Sequence, residues 1–222
     1  MGYKKKSKNI DKPYVSVITP TYNRREFIPQ LLKMFLYQDY PQDKMELIIA
    51  DDGTDKIKDL IPKDKNNIKY FEFDNKLTIG YKRNFLNEKA IGNIIVCMDD
   101  DDYYPPCRVS YSVNLLQKSK CLIAGCSHIY VYYICYDKIL EYGPYNKNHA
   151  INSSMAYKKE YLINHKYNIN DSKSEEKYFT NNFTEQMVQL DPNKTILQIA
   201  HFFNTIDKYK HVVNSIKITN YN

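Results

Sequence analysis

The sequence predicts an α/β fold: a mainly parallel central sheet with helices on both faces, followed by a smaller, mixed β half. Three observations carry this. Residues 45–50 (MELIIA) and 94–98 (IIVCM) are short apolar runs, the pattern of strands buried on both faces. Each run feeds straight into carboxylates, Asp51-Asp52 in the first case and Asp99-Asp100-Asp101-Asp102 in the second. Helical patterns alternate with strands up to residue 118, which implies right-handed crossovers and parallel pairing. Both acidic strand ends are therefore expected on one carboxyl edge of the sheet, where open α/β sheets bind ligands.

Taken in order, residues 14–19 form a β-rich opening strand that Pro20-Thr21-Tyr22-Asn23 breaks. Asn23 and Glu26 have the spacing of a capping box, and Phe27, Leu31, Met34 and Phe35 then share one helical face. The second strand, 45–50, ends in Asp51-Asp52-Gly53-Thr54-Asp55, with Gly53 suited to a tight turn and Thr54 or Asp55 to capping a short helix. A third strand covers 68–73. The stretch from Thr78 to Asn84 enters a helix with Phe85, Leu86 and Ala90 inward. The strand 94–98 and its acidic block follow. Pro105 and Pro106 suit a helix's first turn, and Val109, Val113 and Leu116 its buried face.

From Cys121 the pattern changes. Residues 121–136 read as one long β run with a bulge at Gly125, turning at 136–138 to pair back over 139–142. A strand near 151–157, a helix over 158–164, a polar loop over 167–174 and a short helix over 175–182 come next. A strand over 185–190, a turn at Asp191-Pro192-Asn193 and a last β run over 194–201 complete the pattern. The expected organisation is a basic flexible tail over 1–12, carrying Lys4, Lys5, Lys6 and Lys8, and a single domain over 13–222. Its halves are 13–118 and 119–222.

Composition narrows the class of function. With 43% hydrophobic and 14% aromatic residues, the 222-residue chain can bury a core. The net charge of +6 fits an anionic ligand and is too mild to argue for nucleic acid. No apolar run reaches the roughly 20 residues of a membrane span, and no signal peptide is evident. The five cysteines form no Cys-x-x-Cys pair and several lie in apolar runs, which points to reduced thiols in a cytoplasmic compartment.

The acidic block is the centre of the chemistry. Adjacent carboxylates repel and raise one another's proton affinity unless a cation neutralises them. The economical cation is a hard divalent ion, Mn²⁺ or Mg²⁺. A calcium EF-hand is excluded: counting from Asp99, Tyr104 stands where glycine is needed and Ser110 where a bidentate Glu belongs. Tyr22 either stacks on a base or belongs to a plain turn, and Arg24 either reaches a phosphate or does not. Lys82 and Arg83, near a helix start, either neutralise phosphate charge or are solvated.

Four stretches in this order resemble glycosyltransferases of family 2, with the GT-A, Rossmann-like fold. They are Val15-Ser16-Val17-Ile18-Thr19-Pro20-Thr21-Tyr22-Asn23-Arg24, Ile48-Ile49-Ala50-Asp51-Asp52-Gly53-Thr54-Asp55, Gly80-Tyr81-Lys82-Arg83-Asn84, and Met98-Asp99-Asp100-Asp101-Asp102 with Pro106. The resemblance implies an inverting transferase with a nucleotide-sugar donor, UDP-linked, and a glycan, protein or small-molecule acceptor hydroxyl. It implies a divalent metal held by Asp101 and Asp99, with Asp99 or Asp100 toward the ribose. It also implies a nucleobase pocket of Pro20, Thr21, Tyr22 and Asp52 or Asp51, with Lys82 or Arg83 near the nucleotide.

The family's general base is an acidic pair opening a helix in the second half. Glu175-Glu176 fits that place, Glu176 ahead of Glu175; the bland alternative is a solvated first-turn pair. Some relatives close the metal site with a late histidine, and His201, after the β run, could be that ligand or a structural residue. His128, His149, His165 and His211 have no comparable context. Two other readings stand beside the transferase: a nucleotide-sugar-binding module without transfer, and a sugar nucleotidyltransferase. The second is disfavoured because residues 16–23 hold no glycine for a phosphate loop.

Overall fold

The computed structural model describes residues 12–204, so the expected tail over 1–12 lies, Lys12 apart, outside the described residues. In chain order the strands are β1 (Val15–Thr21), β2 (Met45–Asp51), β3 (Ile68–Glu72), β4 (Ile94–Cys97), β5 (Ile123–Gly125), β6 (Ile129–Tyr133), β7 (Lys138–Tyr142), β8 (Ala156–Lys158), β9 (Met187–Gln189) and β10 (Leu197–Ala200). The helices are α1 (Ile28–Leu36), α2 (Ile79–Lys89), α3 (Arg108–Lys118) and the single turn α4 (Glu176–Phe179). Seven strands form the main sheet in the order β3-β2-β1-β4-β8-β5-β9. The β3-β2-β1-β4 half is parallel throughout, and β8 enters antiparallel between β4 and β5.

Alternation along the strands explains why the sheet is covered on both sides. Val15, Val17, Leu47, Ile49, Ile94 and Val96 share one core with Leu31 and Phe35 of α1 and Val109, Val113 and Leu116 of α3. Ile18, Ile48, Ile95 and Cys97 point the other way, toward Leu86 of α2 and Ala90. Each such Leu, Ile or Phe gains about 1.5–3 kcal/mol from burial, so both faces drive the same sheet to form. Truncating fully buried Ile95 to Ala would cost about 2–5 kcal/mol.

The second sheet, β10-β6-β7, carries a small core of its own around Ile129, Val131, Tyr133 and Leu140. It is joined to the acidic block. Tyr103 and Leu197 exchange backbone hydrogen bonds of 3.0 and 2.9 Å, and Asp102 Oδ1 accepts from Ile199 N at 3.0 Å. The mixed β half therefore closes over the carboxyl edge of the parallel half.

Several local expectations are corrected. Asn23 does not cap a helix: it takes φ 53°, and its Oδ1 accepts from Thr54 N and Asp55 N at 2.7 and 3.1 Å, tying the first loop to the second. α1 instead starts after a 3₁₀ turn, with Pro29 in its first turn. The short 3₁₀ turn at Lys58–Leu60 has no side-chain cap from Thr54 or Asp55. Pro105 and Pro106 lie just before α3, which begins at Arg108. The long run over 121–136 is two strands in different sheets, and Gly125 is there for packing: a Cβ would lie 2.4 Å from that of Ala150. The helix expected over 158–164 is a 3₁₀ segment, Lys159–Ile163. The one over 175–182 is a single turn, because Asn181, Asn182 and Phe183 take positive φ.

Candidate active site

Parallel pairing of β2, β1 and β4 brings Asp51, Thr21 and the acidic block to one edge. Thr19 Oγ1 donates to Met98 O at 2.7 Å and Thr21 Oγ1 to Asp100 Oδ2 at 2.5 Å, which holds the block against β1. A cleft of about 1010 Å³ opens there. Its walls include Pro20, Thr21, Tyr22, Arg24, Asp52, Lys82, Arg83, Asp99, Asp100, Asp101, Glu175 and Glu176. Of the residues singled out in the sequence, Asp51 and His201 are not on the wall.

Asp51 is a brace beneath the loop. Its Oδ1 accepts from Gly53 N at 2.8 Å, and its Oδ2 from Ile57 N at 3.2 Å and Tyr70 Oη at 2.7 Å. Asp52 does face the cleft: Lys82 Nζ donates to its Oδ1 at 2.5 Å and to Thr21 O at 3.0 Å, and Leu77 N donates to its Oδ2 at 2.6 Å. Burial pushes the Lys82 ammonium down, against the pull of Asp52. Tyr22 carries the ammonium of Lys76 over its ring, 4.2 Å from the centroid. Lys76, one more lysine in a polar loop, carries no sequence signal.

Lys82 and Arg83 are buried, not solvated. Arg83 Nε donates to Glu175 Oε1 at 2.7 Å and Nη2 to Asp99 Oδ1 at 3.1 Å. Burial works against its charge, and the combined attraction of Asp99 and Glu175 outweighs it, raising its pKa. Arg83 Nη1 and Arg24 Nη1 are both buried and lack hydrogen-bond partners among the described residues. Both arginines line the cleft with their charge short of acceptors, the condition that favours a nearby anion.

The carboxylates are under-neutralised. Burial raises Asp99, against the nearby Arg83. Burial, and then the like charge of Asp101, push Asp100 well above the usual range, despite the Thr21 hydroxyl. Asp101 Oδ2 accepts from His201 Nε2 at 3.1 Å and Asn204 Nδ2 at 3.2 Å, with Arg24 Nη2 at 3.6 Å. Phe203 N donates to His201 Nδ1 at 3.1 Å, which places the imidazole proton on Nε2, toward Asp101. His201 therefore stands behind Asp101 and orients it. Asn204 had no sequence signal, lying beyond the last apolar run.

Glu175 and Glu176 reach the cleft on a segment anchored to α2. Asn84 and Tyr167 exchange bonds of 2.8 and 2.9 Å, and Gly80 N donates to Asp171 O at 3.1 Å. The adjacent acids are unequal. Glu175 is buried in its pair with Arg83. Among the described residues Glu176 has no such partner; burial, reinforced by the charge of Glu175, raises its carboxyl to about 7.

The sequence profile of glycosyl transferase family 2 matches residues 16–184. The chain belongs to glycosyltransferase family 2. Within that family it is 35% identical over 92 residues to the poly(ribitol-phosphate) β-N-acetylglucosaminyltransferase TarS of Staphylococcus aureus (40% of this chain, 16% of TarS). It is 29% identical over 116 residues to a putative teichuronic acid biosynthesis glycosyltransferase, TuaG, of Bacillus subtilis (50% of this chain, 44% of TuaG). The match thus spans less than half the length of these curated relatives. Among solved structures, S. aureus TarS 1–349 in complex with UDP-GlcNAc superposes with TM-score 0.71 at 18% identity, over 86% of this chain and 60% of that one. The mannosyltransferase PcManGT of Pyrobaculum calidifontis, in complex with GDP-Man and Mn²⁺, does so with TM-score 0.67 at 17% identity, over 86% and 58%. The fold is GT-A. Among the described residues no helix is long and apolar enough to cross a membrane.

Proposed function

We propose that this chain moves a sugar, with inversion, from a UDP-linked nucleotide sugar to an acceptor hydroxyl, with Mn²⁺ or Mg²⁺ at the diphosphate and Glu176 as general base. The observation that carries the reading is a single cleft that joins an under-neutralised carboxylate block, two guanidiniums short of acceptors and one glutamate with a pKa near 7. The nucleotide-sugar complexes of the structural neighbours support the donor class.

The donor set fits a hard divalent cation shared with a diphosphate. Among the described residues no three His, Cys, Asp or Glu side chains converge as a complete cage. A cation completed by phosphate oxygens needs only one or two protein carboxylates. Asp101, oriented by His201, and Asp99 would hold it, and its charge would stabilise the diphosphate as it leaves. Arg24 and Arg83 would offset the phosphate charge from the cleft wall. Pro20, Thr21, Tyr22 and Asp52 would surround the base.

At the acceptor, the hydroxyl oxygen bonds to the anomeric carbon while the bond to the diphosphate breaks with its electron pair. The hydroxyl proton passes to Glu176. A carboxyl with pKa near 7 is half ionised at neutral pH and is a stronger base than an ordinary glutamate. Glu175, spent on Arg83, holds the segment in place.

UDP with Mn²⁺ tests the donor site. UDP at a hundred times its Kd should stabilise the protein by about 2.7 kcal/mol. The effect should need the metal and vanish in Asp101→Ala. Equal stabilisation with and without metal would remove the cation from this account.

A further inference from the structure

One wall of the cleft takes no part in the donor chemistry. It is built by the second sheet and the loop after it, from Val131 and Tyr133 of β6, Tyr142 of β7, then Tyr145 and His149. No residue of this wall carries a formal charge. The charged residues of the same segment, Asp137, Lys138, Glu141 and Lys147, lie off the cleft.

The wall is aromatic and carries neutral hydrogen-bonding groups. The Tyr133 and Tyr142 hydroxyls are 2.5 Å apart, so one donates to the other. The His149 ring lies 4.6 Å from Tyr145 and 4.7 Å from Phe183, centroid to centroid. Its Nδ1 is buried and has no hydrogen-bond partner among the described residues. Tyr145 is 55% exposed, with ring surface left to cover. Aromatic faces beside neutral donors and acceptors suit a sugar ring, apolar on its C–H face and polar at its hydroxyls. An anionic acceptor would call for Arg or Lys on this wall. The cleft's cations, Arg24, Lys76, Lys82, Arg83 and Lys173, sit on other elements.

We propose that this wall is the acceptor subsite and that it selects an uncharged saccharide, its ring against Tyr145 and His149. The assignment rests on the transferase reading of the cleft. It predicts an acceptor unlike a phosphate-bearing polymer.

The test is an NMR titration of the protein, with UDP and Mn²⁺ present, using cellobiose and N,N′-diacetylchitobiose as neutral probes and glucuronic acid and ribitol 5-phosphate as anionic ones. A neutral disaccharide should bind. Tyr145→Ala and His149→Ala should each weaken it by about tenfold while UDP affinity is unmoved. Tighter binding of either anionic probe, no binding of either neutral one, or unchanged affinity in both variants would overturn the proposal. If UDP with Mn²⁺ itself fails to bind, the transferase reading falls first and takes this subsite with it. If UDP binds and the neutral sugars do not, only the acceptor assignment falls.

Discussion

Arg83 joins the two halves of the cleft through Glu175. Its Nε holds Glu175 Oε1 at 2.7 Å, while its Nη2 holds Asp99 at 3.1 Å. One buried guanidinium thus ties the end of β4 to the segment that carries Glu176. Removing it leaves two carboxylates without their cation. Arg83→Met should cost about 3–5 kcal/mol in urea denaturation, the usual penalty for breaking a buried pair from one side. Glu175→Gln in the Arg83→Met background should recover part of the loss, with a coupling energy of about 1 kcal/mol or more. Strict additivity would show that the pair is not coupled.

Glu176 should separate binding from transfer. Glu176→Gln should leave UDP and Mn²⁺ affinity intact and lower transfer by about 10²–10⁴-fold. In the parent, the rate should rise with pH through about 7, where the carboxyl loses its proton. Stability should run the other way. A carboxyl whose pKa is raised by folding keeps its proton more readily in the native state. Its contribution is complete below its unfolded value of 4.5 and is lost as pH rises through about 7. Glu176→Gln should therefore stabilise the protein at pH 8 by about 1–3 kcal/mol and much less at pH 4. Thermal melts at the two pH values check the sign.

Asp101 and His201 should differ in degree. With its Nε2 proton on Asp101, His201 acts through that carboxylate. His201→Ala should weaken Mn²⁺ binding about 10–100-fold, as loss of a residue that orients a ligand does, and Asp101→Ala should abolish it. Titration of Mn²⁺ in the presence of UDP reads both. Unchanged Mn²⁺ affinity in a folded His201→Ala variant would make His201 purely structural.

Gly80 sets the spacing between α2 and the loop that holds Asn168 and Asp171. A Cβ there would fall 2.0 Å from Asn168 O. Gly80→Ala should push away the loop that leads to Glu175 and Glu176, lowering transfer more than UDP affinity. Equal loss of both, measured as kcat against donor Kd, would place its effect elsewhere.

How much of this was legible depended on strand length and burial. β1, β2 and β4 could be read because both faces of each are covered and every residue is apolar or pinned. β5, β8 and β9 have three residues each, too few for a period, and their order is set by an antiparallel insertion that no local pattern encodes. Asn23 misled because an Asn followed by Glu at capping distance was instead recruited by a loop 31 residues away. The acidic edge, Glu175-Glu176 and His201 were visible as residue types. What each does depended on long-range partners: Arg83 on Glu175, Tyr70 on Asp51, Asp101 on His201. The aromatic wall was hidden because Tyr133, Tyr142 and His149 converge only after a hairpin and a loop fold back over the sheet.

The most direct test of the central claim is a panel of nucleotide sugars with Mn²⁺, read for nucleoside diphosphate released and for the anomeric configuration of any glycoside formed. The account predicts release from a UDP-linked donor, an inverted product with a neutral saccharide acceptor, and loss of both in Asp101→Ala. Tight, metal-dependent UDP binding with no donor turned over by any acceptor pool would contradict it and leave a nucleotide-sugar-binding module.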